Sequence, residues 1–176
     1  MPITILKREN QYHGQVFDVA KVHLRLPNGR VPAYDLVEHG DSVTILPVDA
    51  QGNIYFVRQY RVGAEKPLLE LPAGVLDPDE APLTAAKREI REEIGLGADE
   101  MRALGGFYLA PGYTDEFMTV FLATGLYDAP LEPDEDEFLD VQTLPKTTVY
   151  RMAYDGEFQD GKTLAALLLA QPSLMP

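Results

Sequence analysis

Arg88, Glu89, Glu92 and Glu93 are residues whose types and spacing could do chemistry together. On a helix, at about 100° per residue, Glu89 and Glu93 stand side by side, and Arg88 and Glu92 form a second pair further round. Like charges four apart destabilise a helix unless something neutralises them, and a divalent cation would. Mg2+ or Mn2+ prefers oxygen ligands, which carboxylates supply. The plain alternative is a solvated acidic face, the usual fate of a Glu-rich turn.

The element that must carry these side chains is a helix from Pro82 to about Ile94. Pro82 suits its first turn, where a missing N–H has no partner to lose. Gly95 suits the position just past its end, where φ > 0 is often needed. Leu83, Ala86, Ile90 and Ile94 recur at three- and four-residue spacing as an apolar stripe facing a core. Glu89 and Glu93 fall at one edge of that stripe. An EF-hand reading of Asp77 and Asp79 fails, because the sixth position of that loop needs Gly and is Pro82.

The wider stretch is Gly74, five residues, Glu80, seven residues, Arg88-Glu89-Ile90, one residue, Glu92-Glu93, one residue, Gly95-Leu96. Seven specified residues, each drawn at about one in fifteen, coincide on the order of once in 10⁸ windows. At every specified position the stretch resembles the signature of the Nudix hydrolases. The resemblance implies an α/β/α sandwich in which the signature forms a loop–helix–loop. It also implies hydrolysis of a pyrophosphate linkage, with Mg2+ as cofactor and Mn2+ able to substitute. In that family the glutamates matching Glu89 and Glu93 hold metal, helped by the backbone carbonyl matching Ala73. Glu92 joins them as a further carboxylate, and Arg88 orients a neighbouring glutamate through an ion pair. Glu80 either ligates or holds the loop.

Flanking residues narrow the resemblance. Val57-Arg58-Gln59-Tyr60-Arg61 and Leu69-Glu70-Leu71-Pro72-Ala73-Gly74 are similar to what precedes the signature in ADP-ribose pyrophosphatases. Pro111, fifteen residues after Leu96, sits in Ala110-Pro-Gly-Tyr113-Thr-Asp-Glu116, which also matches. The acidic run Glu132-Pro-Asp-Glu135-Asp-Glu137 looks like the mobile loop in which these enzymes carry a catalytic base and an additional ligand. Matching it puts the base at Glu135 and the ligand at Glu137, or the reverse. A base on a loop reaches the attacking water only in the closed state.

Arg61 matches a family arginine and is expected to contact a phosphate or the terminal ribose; otherwise it is a surface residue beside a strand. Phe17, Tyr34 and Tyr113 are candidates to stack on a base or ribose, against the ordinary fate of strand aromatics in a core. Glu116 is expected to contact the terminal ribose or a water of the metal ion. His13, His23 and His39 show no ligand spacing.

With 176 residues, 45% of them hydrophobic, the chain is long enough for one domain with a substantial core. Its 15 basic and 28 acidic residues leave a net charge of −13, which opposes loose binding to nucleic acid or an anionic membrane. It also repels a polyphosphate unless metal ions or a local basic patch reverse the field. There is no cysteine and hence no thiol chemistry. No apolar run approaches a membrane span and the N-terminus lacks a signal-peptide pattern, so a cytoplasmic protein is expected.

Strands are expected at residues 3–6 and 15–26, with a turn at Pro27-Asn28-Gly29 and a return over 31–38, together an antiparallel meander. Strands at 43–48 and 54–60 read as a hairpin around Asp49–Asn53. Others fall at 68–71, 104–109, 117–123 and 138–144. Helices at 147–154 and 162–170 close the chain, the second with Leu164, Leu167 and Leu168 on one face. The fold class is α+β, an α/β/α sandwich with a mixed sheet. The expected organisation is a single domain over residues 1–176, with 1–38 as dimerisation strands of a homodimer and 39–176 as the catalytic core. Taken with the resemblance, the reading is an enzyme that cleaves ADP-ribose to AMP and ribose 5-phosphate. Its rivals are a hydrolase of another nucleoside diphosphate sugar such as GDP-mannose, and a non-catalytic nucleotide-sugar-binding module.

Overall fold

The computed structural model describes residues 2–132 and 138–175. In chain order these form β1 (Thr4–His13), β2 (Phe17–Arg25), β3 (Ala33–His39), β4 (Ser42–Pro47), β5 (Asn53–Arg61), β6 (Lys66–Glu70), β7 (Ala73–Val75) and α1 (Pro82–Ile94). Then come β8 (Leu96–Tyr108), β9 (Phe117–Asp128), β10 (Asp140–Pro145), α2 (Lys146–Tyr154) and α3 (Gly161–Leu174). The chain divides into two compact units: Met1–Asp41 with Tyr108–Phe117, and Ser42–Phe107 with Met118–Pro176. Among the described residues no helix is long and apolar enough to cross a membrane.

The first unit is the expected meander, β1-β2-β3, antiparallel throughout. Its first strand runs on to His13, well past the four residues that read as a strand. The turn after β2 closes as expected, with Leu26 N–H donating to Arg30 O at 2.9 Å and Gly29 N–H to Leu26 O at 2.9 Å. The 109–116 segment docks on β3: Val37 N–H donates to Tyr113 O at 2.7 Å, and His39 N–H to Asp115 Oδ1 at 2.8 Å.

The second unit is an α/β/α sandwich. Its larger sheet has the order β7-β4-β9-β8, with β4 and β9 parallel and β4 and β7 antiparallel, so it is mixed. A second, antiparallel sheet has the order β10-β5-β6. Alternation along β4 and β9 feeds two cores. Val43, Ile45, Phe121 and Ala123 meet Ala85, Ala86 and Ile90 of α1. Leu46, Val120 and Leu122 meet Phe56, Val149, Ala166, Leu167 and Ala170 on the other side. Covered on both faces, β4 is buried along its whole length, and such strands read as continuous apolar runs.

Three expectations are corrected here. β4 and β5 are joined by the tight Asp49–Asn53 turn, yet they pair only through the bridge Val48–Ile54 and then join different sheets. A strand apolar on both sides is central, and β4 takes β7 and β9 as its neighbours. Leu83 is 41% exposed, while Ala85 occupies the buried side of α1. On α3, Leu168 is 69% exposed and Leu164 37%, and only Leu167 of that face is buried. The small residues Ala166 and Ala170 take the inner face because β4 runs close beneath.

Candidate active site

α1 begins without a side-chain cap, at Ala81, and uses Pro82 in its first turn. It ends at Gly95, whose φ of 73° lets its N–H reach back to Ile90 O. Sinking Ala85, Ala86 and Ile90 into the core fixes the rotation of the helix. Glu89 and Glu93 are thereby buried, at 8% and 5% exposure. Buried carboxylates must be paired or hydrogen-bonded. What they meet is the start of β7. Ala73 N–H donates to Glu93 Oε2 at 3.0 Å. A Cβ on Gly74 would fall 1.9 Å from Glu89 Oε1 and 2.5 Å from Oε2. Glycine is required there because the Glu89 carboxylate occupies the space a side chain would fill.

Arg88 gathers the other acids. Its Nη1 donates to Glu89 Oε1 at 2.7 Å and to Glu92 Oε2 at 2.9 Å. Its Nη2 donates to Glu80 Oε2 at 2.9 Å and to Val75 O at 3.1 Å. The hydrogen bonds with Glu80 and the charge of Glu89 raise the basicity of Arg88 above its ordinary value, against a smaller opposing effect of burial. Glu80 also accepts from Asp77 N–H at 3.0 Å, tying the loop before the helix together. Arg88 holds the Glu80 carboxyl below its usual range.

The donor set for a cation is oxygen only: the carboxylates of Glu89 and Glu93 and the carbonyl of Ala73. Among the described residues no group of three His, Cys, Asp or Glu side chains is arranged to hold a metal ion. Two carboxylates fit Mg2+, which keeps several waters and is bound through one or two carboxylates plus substrate phosphates. Gly74, with no side chain, lets the Glu89 carboxylate lie against the same segment as Ala73. Glu135 and Glu137, the expected base and additional ligand, lie outside the described residues.

Arg61 stands at the end of β5, where Glu70 of β6 takes its Nε at 2.9 Å and its Nη2 at 2.8 Å. Glu70 is 1% exposed. Burial works to raise its pKa, but the hydrogen bonds of Arg61 and the charge of Lys162 outweigh it and hold the carboxyl below its usual range. Lys162 Nζ also bonds Glu70, and lies 3.1 Å from Asp160 Oδ2. Glu70, Asp160, Lys162 and Thr163 went unnoticed as a group in the sequence. The one local signal is Asp160 three residues before Thr163, an N-cap spacing.

The remaining expected contacts lie in the first unit. Phe17 of β2 pairs with His39 of β3, the strand end on which the Tyr113–Asp115 backbone docks. His39 Nδ1 is 3.9 Å from Glu116 Oε2. Phe17, Tyr113 and Glu116 are therefore associated with one end of β3. Tyr34 stands further along that strand, on the order of 17 Å from His39 and on the order of 10 Å from Val37, which bonds Tyr113. Phe17, Tyr34 and Tyr113 are 43%, 49% and 61% exposed, so none is a core aromatic. A cleft of about 510 Å³ is lined by Val48, Tyr55, Tyr127 and Asp128 among others, and by none of the expected residues.

Residues 38–167 match the NUDIX domain, and the chain belongs to that family. It is a Nudix pyrophosphatase. An ADP-ribose pyrophosphatase of Bacillus subtilis (strain 168) is 34% identical over 168 residues, covering 94% of this chain and 91% of its own. A GDP-mannose pyrophosphatase of Yersinia enterocolitica is 33% identical over 147 residues, covering 78% of this chain and 76% of its own. The crystal structure of an ADP compounds hydrolase superposes with a TM-score of 0.87 at 30% identity, over 99% of this chain and 95% of that one.

Proposed function

We propose that the enzyme hydrolyses the diphosphate of a nucleoside diphosphate sugar, and that ADP-ribose is its substrate, giving AMP and ribose 5-phosphate. The observation that carries this reading is the meeting of Glu93 with Ala73 N–H, and of Glu89 with Gly74, across the same short segment. Glu89, Glu93 and the Ala73 carbonyl would hold Mg2+, with Mn2+ able to substitute. When bound, the cation supplies positive charge against the diphosphate and lowers the pKa of the attacking water. Arg88 keeps Glu89 and Glu92 in place through its hydrogen bonds, so that neither has to be ordered when substrate arrives. Glu135 takes the proton of the water and Glu137 adds a ligand, or the two exchange roles. Arg61 offers a phosphate or the terminal ribose the edge of its guanidinium that Glu70 does not use. Phe17, Tyr113 and Tyr34 supply aromatic surface for base or ribose, and Glu116 contacts the terminal ribose or a water of the metal ion. The working form is a homodimer joined through residues 1–38.

The GDP-mannose pyrophosphatase relative supports a second reading, in which only the nucleoside and sugar differ. Turnover with Mg2+ over a panel of ADP-ribose, ADP-glucose, GDP-mannose and a dinucleoside polyphosphate separates the two. The proposal expects the highest kcat/KM for ADP-ribose. A higher value for GDP-mannose would replace it with the second reading.

A further inference from the structure

The segment Leu71–Ala73 is held at every residue by a different part of the second unit. Leu71 N–H donates to Thr163 Oγ1 at 2.9 Å. Pro72 O accepts from Ile45 N–H at 2.8 Å and from Thr44 Oγ1 at 3.1 Å. Ala73 N–H donates to Glu93 at 3.0 Å. The Thr163 contact is unusual in what stands behind it. Thr163 is fully buried. Its hydroxyl donates its single proton to Asp160 Oδ2 at 2.6 Å, which leaves its oxygen to accept from Leu71. Asp160 also accepts Thr163 N–H at 3.0 Å, capping α3, and Lys162 ties Asp160 to Glu70, the residue before Leu71. A charged donor or acceptor at one end of such a chain polarises the bonds along it.

We propose that Thr163, with Asp160 and Lys162 behind it, is a positioning residue for the cation site. The first turn of α3 sets where the Leu71–Ala73 segment lies, and so where the Ala73 carbonyl and the Glu93 carboxylate stand relative to each other. This rests on the reading that Glu89, Glu93 and Ala73 hold the cation. An N-cap with no further role would change stability alone. A positioning residue changes cation affinity in protein that is still folded.

The test is Mn2+ binding without substrate, read from the electron paramagnetic resonance signal of the free ion, with circular dichroism as the check of folding. Thr163→Val keeps the volume and removes the hydroxyl, and is expected to weaken Mn2+ binding about tenfold or more. Thr163→Ser keeps the hydroxyl and should bind within about twofold of the parent, as loss of a supporting contact is what weakens affinity. Asp160→Asn keeps a capping oxygen but loses the charge, and should weaken binding about threefold, short of the full loss of a supporting partner. Folded Thr163→Val that binds like the parent overturns the proposal. If Thr163→Val does not fold, parent-like binding by Asp160→Asn overturns it. A parent protein that binds no Mn2+ would instead sink the cation-site reading, and this inference with it.

Discussion

Two arginine clusters in the second unit invite comparison. Arg88 touches Glu80, Glu89 and Glu92, with the buried Glu93 one helical turn beyond Glu89. Arg61 shares Glu70 with Lys162, which reaches on to Asp160, so two cations face two carboxylates. The Arg61 cluster is balanced, and Arg61 also acts on Glu93 of the other cluster through its charge; replacing such a group by apolar residues is often neutral, although breaking it by removing one partner is not. Arg88 itself meets the carboxylates of Glu80, Glu89 and Glu92. In the proposed function the first cluster serves a ligand, whereas the second holds a shape.

The sharpest way to break this contrast is Glu93→Gln. Loss of several kcal/mol of charge stabilisation at tenfold per 1.4 kcal/mol predicts a fall in kcat of about a thousandfold, with the fold retained. Steady-state kinetics checks it; a fall below tenfold would move Glu93 into the shape-holding class. Gly74→Ala should come next. Its Cβ overlaps the tip of a flexible side chain rather than backbone, so Glu89 swings away while the fold stands. Activity should drop about a hundredfold, as when a positioned ligand is displaced, with little change in Tm. Loss of folding instead would show that the close approach is structural.

Glu70→Gln probes the balanced cluster and should act on stability first. Breaking a buried pair is worth about 2 kcal/mol here, discounted because the Arg61 side chain is 41% exposed. Denaturant titration measures it. Glu70 titrates below its ordinary 4.5 in the folded chain, so its contribution is complete above about that pH and is lost as the pH falls through the folded value. Acid unfolding below about pH 4.5 should therefore be less steep in Glu70→Gln than in the parent. The smallest effect belongs to Arg151, which bonds Asp155 at 3.0 Å and Glu157 at 2.9 Å on the surface. Arg151→Ala should leave activity unchanged and Tm within about 2 °C. A large shift would mean that arginine–carboxylate contacts matter here without burial.

The extent of α1 was legible in the sequence because its signals are local: Pro82 opens it, Gly95 closes it, and the glutamates are four apart. The meander was legible for the same reason, through alternation and the Pro27–Gly29 turn. What periodicity could not supply was depth. Leu83 and Ala85 are both apolar, and only the closeness of β4 and β9 decides which is covered. The β4–β5 turn looked like a hairpin because turn chemistry says nothing about which neighbour a strand prefers once it leaves the turn. Glu70 and Lys162 lie 92 positions apart in the chain, and no spacing rule joins them. The contact of Glu89 with Gly74 had no signal beyond the place of the glycine in the motif, and the structure identifies the carboxylate as what lies against it.

The most direct measurement is product formation from ADP-ribose, followed by chromatography, for the parent and for Glu89→Gln with Glu93→Gln, each with and without Mg2+. The account predicts AMP and ribose 5-phosphate in equal amounts from the parent, only when Mg2+ is present, and none above background from the double variant. Turnover that needs no divalent cation, or that survives loss of both glutamates, would contradict it.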